Sequence, residues 1–192
     1  MRLANSEVKL YHENVKLRQG GNFMKKGIAA VLCFVCLLIA NVVYASSLYS
    51  PYLNGDRNFI LAGAHMGYAW YVDKSSLVVQ NYNPPEYKIA VNVVTVPNAD
   101  RGNIEISDVT THEFYYQWEQ RKMYSWRRNA WRYIPPVGTM ADTGQEFSGE
   151  MAFYMVYHMK FYGGRKWRDP YDGKYRSPNF SDNIYAWIDE AE

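Results

Sequence analysis

Hydrophobic and polar residues alternate most regularly in the middle of the chain. From Tyr87 to Val96, Tyr87, Ile89, Val91, Val93 and Thr95 fall on one face and Lys88, Ala90 and Asn92 on the other. Between Val109 and Glu119, His112, Phe114, Tyr116 and Trp118 point one way and Glu113, Gln117 and Glu119 the other. A period of two is the mark of a half-buried strand. Tyr68–Val72 and Leu77–Val79 flank a turn-like Asp73-Lys74-Ser75 and predict a hairpin. Lys122–Trp126 and Trp131–Ile134 predict a second hairpin around Arg127-Arg128-Asn129-Ala130, stopped by Pro135-Pro136. Upstream, Ser46–Gly67 holds Pro51 and Asn54-Gly55-Asp56 and reads as an irregular lead-in with one short apolar segment, Phe59–Ala62.

After Pro136 the period changes. Met151, Tyr154, Met155, His158 and Met159 recur at spacings of three and four, which predicts a helix over Thr143–Phe161 with Ser148 as a candidate cap and Gly163-Gly164 as the stop. Trp167–Asn179 has the composition of a surface loop. Ser181 followed by Ile184, Trp187 and Ile188 predicts a short capped terminal helix. The expected fold class is α+β: an antiparallel sheet of about five or six strands with one long helix, from the C-terminal half, on one face.

A different pattern precedes this domain. Met24-Lys25-Lys26, an apolar run from Gly27 to Val43 and small residues at Ala45, Ser46 and Ser47 have the anatomy of a secretory signal peptide. Residues 24–45 are therefore expected to be the signal, cleaved between Ala45 and Ser46, and residues 46–192 a single extracytoplasmic domain. Residues 1–23 are polar and precede the signal. Two readings stay open: translation starting at Met24, since Gly20-Gly21 can be encoded by a ribosome-binding sequence, or a short cytoplasmic tail before an uncleaved anchor. In both, Arg18, Lys25 and Lys26 leave the rest of the chain outside, in the periplasm, on the surface or secreted.

Removing this leader changes the charge. It carries six of the 21 basic and two of the 19 acidic residues, so 15 basic face 17 acidic residues afterwards and nucleic acid is a poor partner. It also carries both cysteines, Cys33 and Cys36, and neither follows the small residue that lipid attachment needs. Without disulfides, the domain must be held by its core.

Aromatic residues are the remaining signal: 28 of the 147 residues from Ser46 on are Tyr, Trp or Phe, about twice the average supply. Core packing accounts for many. A recognition surface is the other use, and Tyr124, Trp126, Trp131 and Tyr133 cluster around the second hairpin with Arg127, Arg128 and Arg132. Arginine beside aromatics is the composition of binding hot spots, so Trp126, Arg127, Arg128, Trp131, Arg132 and Tyr133 form the candidate binding site. Arg165-Lys166-Trp167-Arg168 with Tyr171, Lys174, Tyr175 and Arg176 reads either as a charged loop or as a face toward anionic polymers or lipid headgroups.

Chemistry-bearing motifs are scarce. His65, His112 and His158 are far apart and lack a metal-ligand spacing. Asp73, Glu113, Glu119, Glu146 and Glu150 could serve a hydrolase, but no spacing selects a pair. No nucleophile elbow or phosphate-binding loop occurs, and no catalytic residue, metal or cofactor is expected. The expected partner is an envelope polymer or an extracellular protein or glycan, with membrane contact only through an uncleaved N-terminal signal.

Trp70-Tyr71-Val72-Asp73, Ser76-Leu77, the strand Tyr87–Val96, Arg121-Lys122-Met123 and Trp131-Arg132-Tyr133-Ile134-Pro135 together resemble the surface-adhesin protein E-like domain family over about residues 68–161. The resemblance implies a small envelope or surface domain with a curved antiparallel sheet and a packed helix, some members of which bind host matrix proteins. Members often carry a cysteine pair, which the chain from Ser46 on lacks. The expected function is noncatalytic, adhesin-like binding at the envelope or surface; the alternatives are a hydrolase of envelope polymers and a structural envelope subunit.

Overall fold

Seven strands run in chain order as one antiparallel meander: β1 (Tyr52–Leu53), β2 (Asp56–His65), β3 (Tyr68–Asn83), β4 (Glu86–Val96), β5 (Asp108–Gln117), β6 (Lys122–Arg127) and β7 (Ala130–Ile134). They are followed by α1 (Thr143–Tyr157), a small hairpin of β8 (Trp167–Arg168) and β9 (Tyr175–Arg176), and α2 (Asn183–Glu190). The computed structural model describes residues 48–137 and 143–192. Ala45 and Ser46, with the segment expected to be a signal and the residues before it, lie outside them. The α+β class and the helix-covered antiparallel sheet agree with expectation, but there are seven strands in the main sheet where five or six were expected.

The lead-in supplies two strands, β1 and β2, while the two expected segments on either side of Asp73-Lys74-Ser75 merge into β3. Asn54-Gly55 and Met66-Gly67 are two-residue turns with both φ positive, at 50° and 75° and at 49° and 84°. Such turns match strand twist, and glycine at their second position adopts that φ without a Cβ clash. They bracket Asp56–His65 as a full strand, so Ser46–Gly67 is not irregular. The expected hairpin at Asp73-Lys74-Ser75 is also corrected, because β3 runs through it with a register shift between Asp73 and Val78. Side chains replace the broken ladder there. The Ser75 N–H donates to Asp73 Oδ1 (3.0 Å), Ser76 Oγ donates to the Asp73 carbonyl (2.7 Å), and Asn92 N–H donates to Ser76 Oγ (2.8 Å). Polar residues that resemble a turn in sequence thus satisfy a bulge.

The face formed by Val72, Ile89, Val91, Val93, Phe114, Tyr116, Met123 and Ile134 meets α1 and makes the main core. A second, smaller core lies on the far face at the β1–β4 side, where Leu53, Leu61, Ala69, Tyr71, Val94 and Val96 pack together. Trp187 from α2 packs against both.

Helix α1 departs from its expected stripe. It stops at Tyr157, where His158 takes φ 50°, and His158 and Met159 are exposed. Ser148 is no cap but sits buried within the helix, donating to the Gly144 carbonyl at 2.8 Å. The buried residues run consecutively from Ser148 to Phe153, with Glu146 two residues earlier, because α1 is covered on two sides. The sheet lies on one, and Phe161, Tyr162 and Tyr185 close the other.

Glu150 makes that second side hold. Its Oε1 accepts from the Phe161 N–H (2.8 Å), the Gly163 N–H (3.3 Å) and the Tyr185 hydroxyl (2.7 Å), while Oε2 accepts from the Tyr162 N–H (2.8 Å). Burial holds its carboxyl above the usual carboxylate range, and the same hydrogen bonds pull it only part of the way back. The Tyr162 hydroxyl, similarly buried, donates to the Ile134 carbonyl (2.6 Å) and accepts from the Met123 N–H (2.9 Å), tying this segment to β6 and β7. The short terminal helix forms where expected, with Ile184 and Ile188 buried, but its N-cap is Asp182, which makes no side-chain cap hydrogen bond, and Ser181 Oγ accepts from the Asn183 N–H at 3.2 Å one residue before it.

Candidate functional site

The turn joining β6 and β7 is Arg128-Asn129, with φ values of 50° and 58°. Because the loop has two residues, it fixes the register: Trp126 lies opposite Trp131, Tyr124 opposite Tyr133, and Arg127 opposite Ala130. Directly opposite residues share a face. The Trp126–Trp131 and Tyr124–Tyr133 pairs are thus on the sheet face away from α1, with ring centroids 5.3 Å and 5.7 Å apart. Tyr115 on β5 joins the row, 5.8 Å from both Tyr124 and Trp131. Lys88 on β4 extends it, its Nζ 5.9 Å from the Tyr115 ring and 5.6 Å from the Trp131 ring.

These five rings belong to neither core. Trp126 and Tyr133 are 44% and 45% exposed, large values for such apolar groups. The result is an aromatic platform across β5, β6 and β7 with a lysine at one edge. Tyr hydroxyls and indole N–H groups give it polar tips, so it can stack on apolar faces and hydrogen-bond at the same time.

The six residues expected to act together are divided by the sheet. Trp126, Trp131 and Tyr133 contribute to the platform. Arg127 turns to the α1 face, where its Nε donates to Ser125 Oγ at 3.2 Å. Arg132 pairs with Ser125 in register and so belongs to that face too, and Arg128 is exposed in the turn. Alternation separates residues that are adjacent in sequence, so the arginines do not back the rings. Tyr115 and Lys88 were missed by sequence reasoning. The signal existed: with β5 pairing β6 antiparallel, Tyr115 falls opposite Tyr124 and Lys88 opposite Tyr115.

The other face of the sheet holds a cavity of about 450 Å³ beneath the start of α1. His65 and His112, remote in sequence, both line it, as do Trp70 and Arg127. Burial, with the Arg127 charge nearby, depresses the His112 imidazole from 6.5 to about 4, so the ring is neutral at pH 7. Its Nδ1 has no hydrogen-bond partner among the described residues. Gln145, in the first turn of α1, accepts from Ser125 Oγ at 2.6 Å through Oε1. The third histidine, His158, is elsewhere, 3.4 Å from Glu192. Among the described residues, no group of three His, Cys, Asp or Glu side chains could hold a metal ion.

The carboxylates have structural surroundings. Glu146 accepts from Asn179 Nδ2 at 3.0 Å, Glu150 holds residues 161–163, and Asp73 anchors its bulge. Glu113 is half-buried and Glu119 lies exposed after β5. None of the five lines the cavity. The basic run at residues 165–176 is likewise drawn into local contacts. Arg176 bridges Asp169 (3.0 Å) and Asp172 (2.6 Å), Lys174 lies 3.8 Å from Asp172, and Arg168 Nε donates to the Gly173 carbonyl at 3.4 Å. Among the described residues, no helix is long and apolar enough to cross a membrane.

No protein-family model, no curated protein and no solved structure matches this chain.

Proposed function

We propose that this protein is a noncatalytic binding module of the cell exterior that uses its aromatic platform to hold a glycan chain of the envelope or extracellular surroundings. The observation that carries the reading is the row Tyr115, Tyr124, Trp126, Trp131 and Tyr133, five rings on one sheet face that no core uses. Large aromatic area left in water is costly unless it has a partner. Sugar rings are suited to it, since their C–H faces stack on aromatic rings while their hydroxyls meet Tyr and Trp polar tips. Neighbouring strands place the rings at intervals of about 5 Å, which favours an extended chain over a compact ligand. The adhesin-like resemblance points to the same class of function, and the signal-like N-terminus points to the same compartment.

The test is retention of the protein, as cells produce it, on isolated cell-wall glycans and on a panel of extracellular polysaccharides. Trp131→Ala and Trp126→Ala should each weaken retention by about tenfold, since aromatic anchors in a binding face contribute about 1–3 kcal/mol. Retention unchanged in the double variant would refute the platform assignment. Release of soluble fragments by the unmodified protein would replace binding with hydrolysis.

A further inference from the structure

At the end of the sheet that carries the Asn83–Glu86 turn, one strand is left without a neighbour. β2 accompanies β3 only from Tyr68 to Asp73, so beyond that point β3 has β4 on one side and, among the described residues, no strand on the other. Such an edge offers a row of backbone N–H and C=O groups to any strand that comes alongside. The terminal strands of the sheet are poorer templates: β1 has two residues, and β7 carries Arg132 and stops at Pro135-Pro136. The free part of β3 has neither defence. Ser75–Asn83 contains no charged residue and no proline, and Val78–Asn83 are all exposed.

Which residues can meet across this edge follows from the faces they occupy. Val79 lies opposite Ile89 and Tyr82 opposite Tyr87, both core residues, so Val79 and Tyr82 face the α1 side. Val78 opposite Ala90, Asn81 opposite Lys88 and Asn83 opposite Glu86 are on the other face, and the register shift between Val79 and Asn81 makes Gln80 the bulge residue. Val79 is 41% exposed and Tyr82 64%, yet the Tyr82 ring is held by Tyr87 and Tyr157, at 5.7 Å and 6.1 Å between centroids. An antiparallel copy of the same strand fits this pattern when the two-fold axis passes between Gln80 and Asn81. Each Val79 then lies opposite Tyr82 of the other copy on the α1 side, each Val78 opposite Asn83 on the far side, and the two bulges meet at the axis. A shift of one residue in either direction would set Val79 against a residue of the opposite face.

We propose that β3 pairs with β3 of a second copy of this chain, Val79 against Tyr82 in both directions, joining two seven-stranded sheets into one. A β-branched residue opposite an aromatic one is a favourable cross-strand pair, and an uncharged edge meets its own copy without like-charge repulsion. The two-fold axis stands normal to the sheet, so both aromatic platforms face the same way, their β6 strands seven strand spacings or roughly 34 Å apart. Under the glycan reading, one extended chain can then engage both platforms with raised avidity. The pairing itself does not rest on that reading.

Small-angle X-ray scattering of the protein as cells produce it, from about 10 μM to about 1 mM, reads the mass directly and needs no glycan. The mass should double across that range, which is the weak end of specific association expected of a single strand pair. Val79→Lys, at an exposed position outside both cores, should weaken dimerisation at least about tenfold, since an edge lysine opposes strand pairing. Val109→Lys, at an exposed position on β5, should leave it unchanged. Adding Tyr82→Glu to Val79→Lys sets opposite charges across both pairs and should restore association. A parent that stays monomeric at about 1 mM, or dimerisation untouched by Val79→Lys, overturns the pairing. A folded double variant that does not recover overturns the register, and if the double variant unfolds, Val79→Lys alone still decides the dimer.

Discussion

Removing the Glu150 carboxylate should unlock the C-terminal quarter of the domain. Four donors converge on it within 2.7–3.3 Å: three backbone N–H groups of Phe161, Tyr162 and Gly163, and the Tyr185 hydroxyl. Phe161 and Tyr162 are fully buried, so water cannot replace the acceptor without local opening. Each buried donor left unmet costs about 1–3 kcal/mol, which nominally sums to about 4–12 kcal/mol for four. Local relaxation reduces that sum, and a loss of about 4 kcal/mol in Glu150→Ala is the expected result. That is a large share of the roughly 5–15 kcal/mol that holds a domain together. Glu150→Gln keeps the shape but turns an N–H₂ toward at least one of these donors, so a loss of about 2 kcal/mol is expected. Tyr185→Phe should cost about 1 kcal/mol alone and close to nothing in the Glu150→Ala background, because its partner is already gone. Urea denaturation of the parent and the four variants measures all of these. A loss below about 1 kcal/mol in Glu150→Ala, or full additivity with Tyr185→Phe, refutes the reasoning.

The depressed His112 gives a pH signature. In the folded state it binds its proton only near pH 4, and in the unfolded chain near 6.5, so between those values the unfolded chain holds more protons. Stability therefore falls as pH drops from 6.5 toward 4, by up to about 3 kcal/mol from this one group. His112→Gln should remove that slope relative to the parent in urea titrations at pH 7, 5.5 and 4, and an identical slope in both proteins would count against a neutral buried ring. Gly149 is enclosed by Met123 and Phe114, and its carbonyl accepts from the Tyr116 hydroxyl at 2.7 Å. A methyl group there would strike the Met123 sulfur, so Gly149→Ala should destabilise by about 1–3 kcal/mol in the same assay, despite the better helix propensity of alanine.

Legibility in the sequence followed the reach of the interactions. β4 to β7 were readable because alternation and turn chemistry are local, and Tyr87–Val96 faces α1 with Tyr87, Ile89, Val91 and Val93 as expected. β2 was overlooked although Asn54-Gly55 is a strong hairpin signal, because Asp56-Arg57-Asn58 opens the strand with polar residues. Asp73-Lys74-Ser75 misled for a related reason, since the side chains that make a turn also make a bulge. Of the candidate site, the aromatic half was visible as composition, but its partners Tyr115 and Lys88 depended on the pairing of β4, β5 and β6.

By itself, the sequence determined the α+β class, most strand positions, a disulfide-free core and an aromatic content about twice the average. Those properties come from spacing and composition, which operate over a few residues. Tertiary structure decided which face each aromatic occupies, that Arg127 leaves Trp126 for the opposite side, and that His65 and His112 meet at one cavity. It also decided the role of Glu150, whose partners lie 11 to 35 residues away. An isolated glutamate in a helix has no local feature that distinguishes a solvated charge from a buried hub. Only the closing of residues 161–163 and Tyr185 over α1 removes the water and makes the difference.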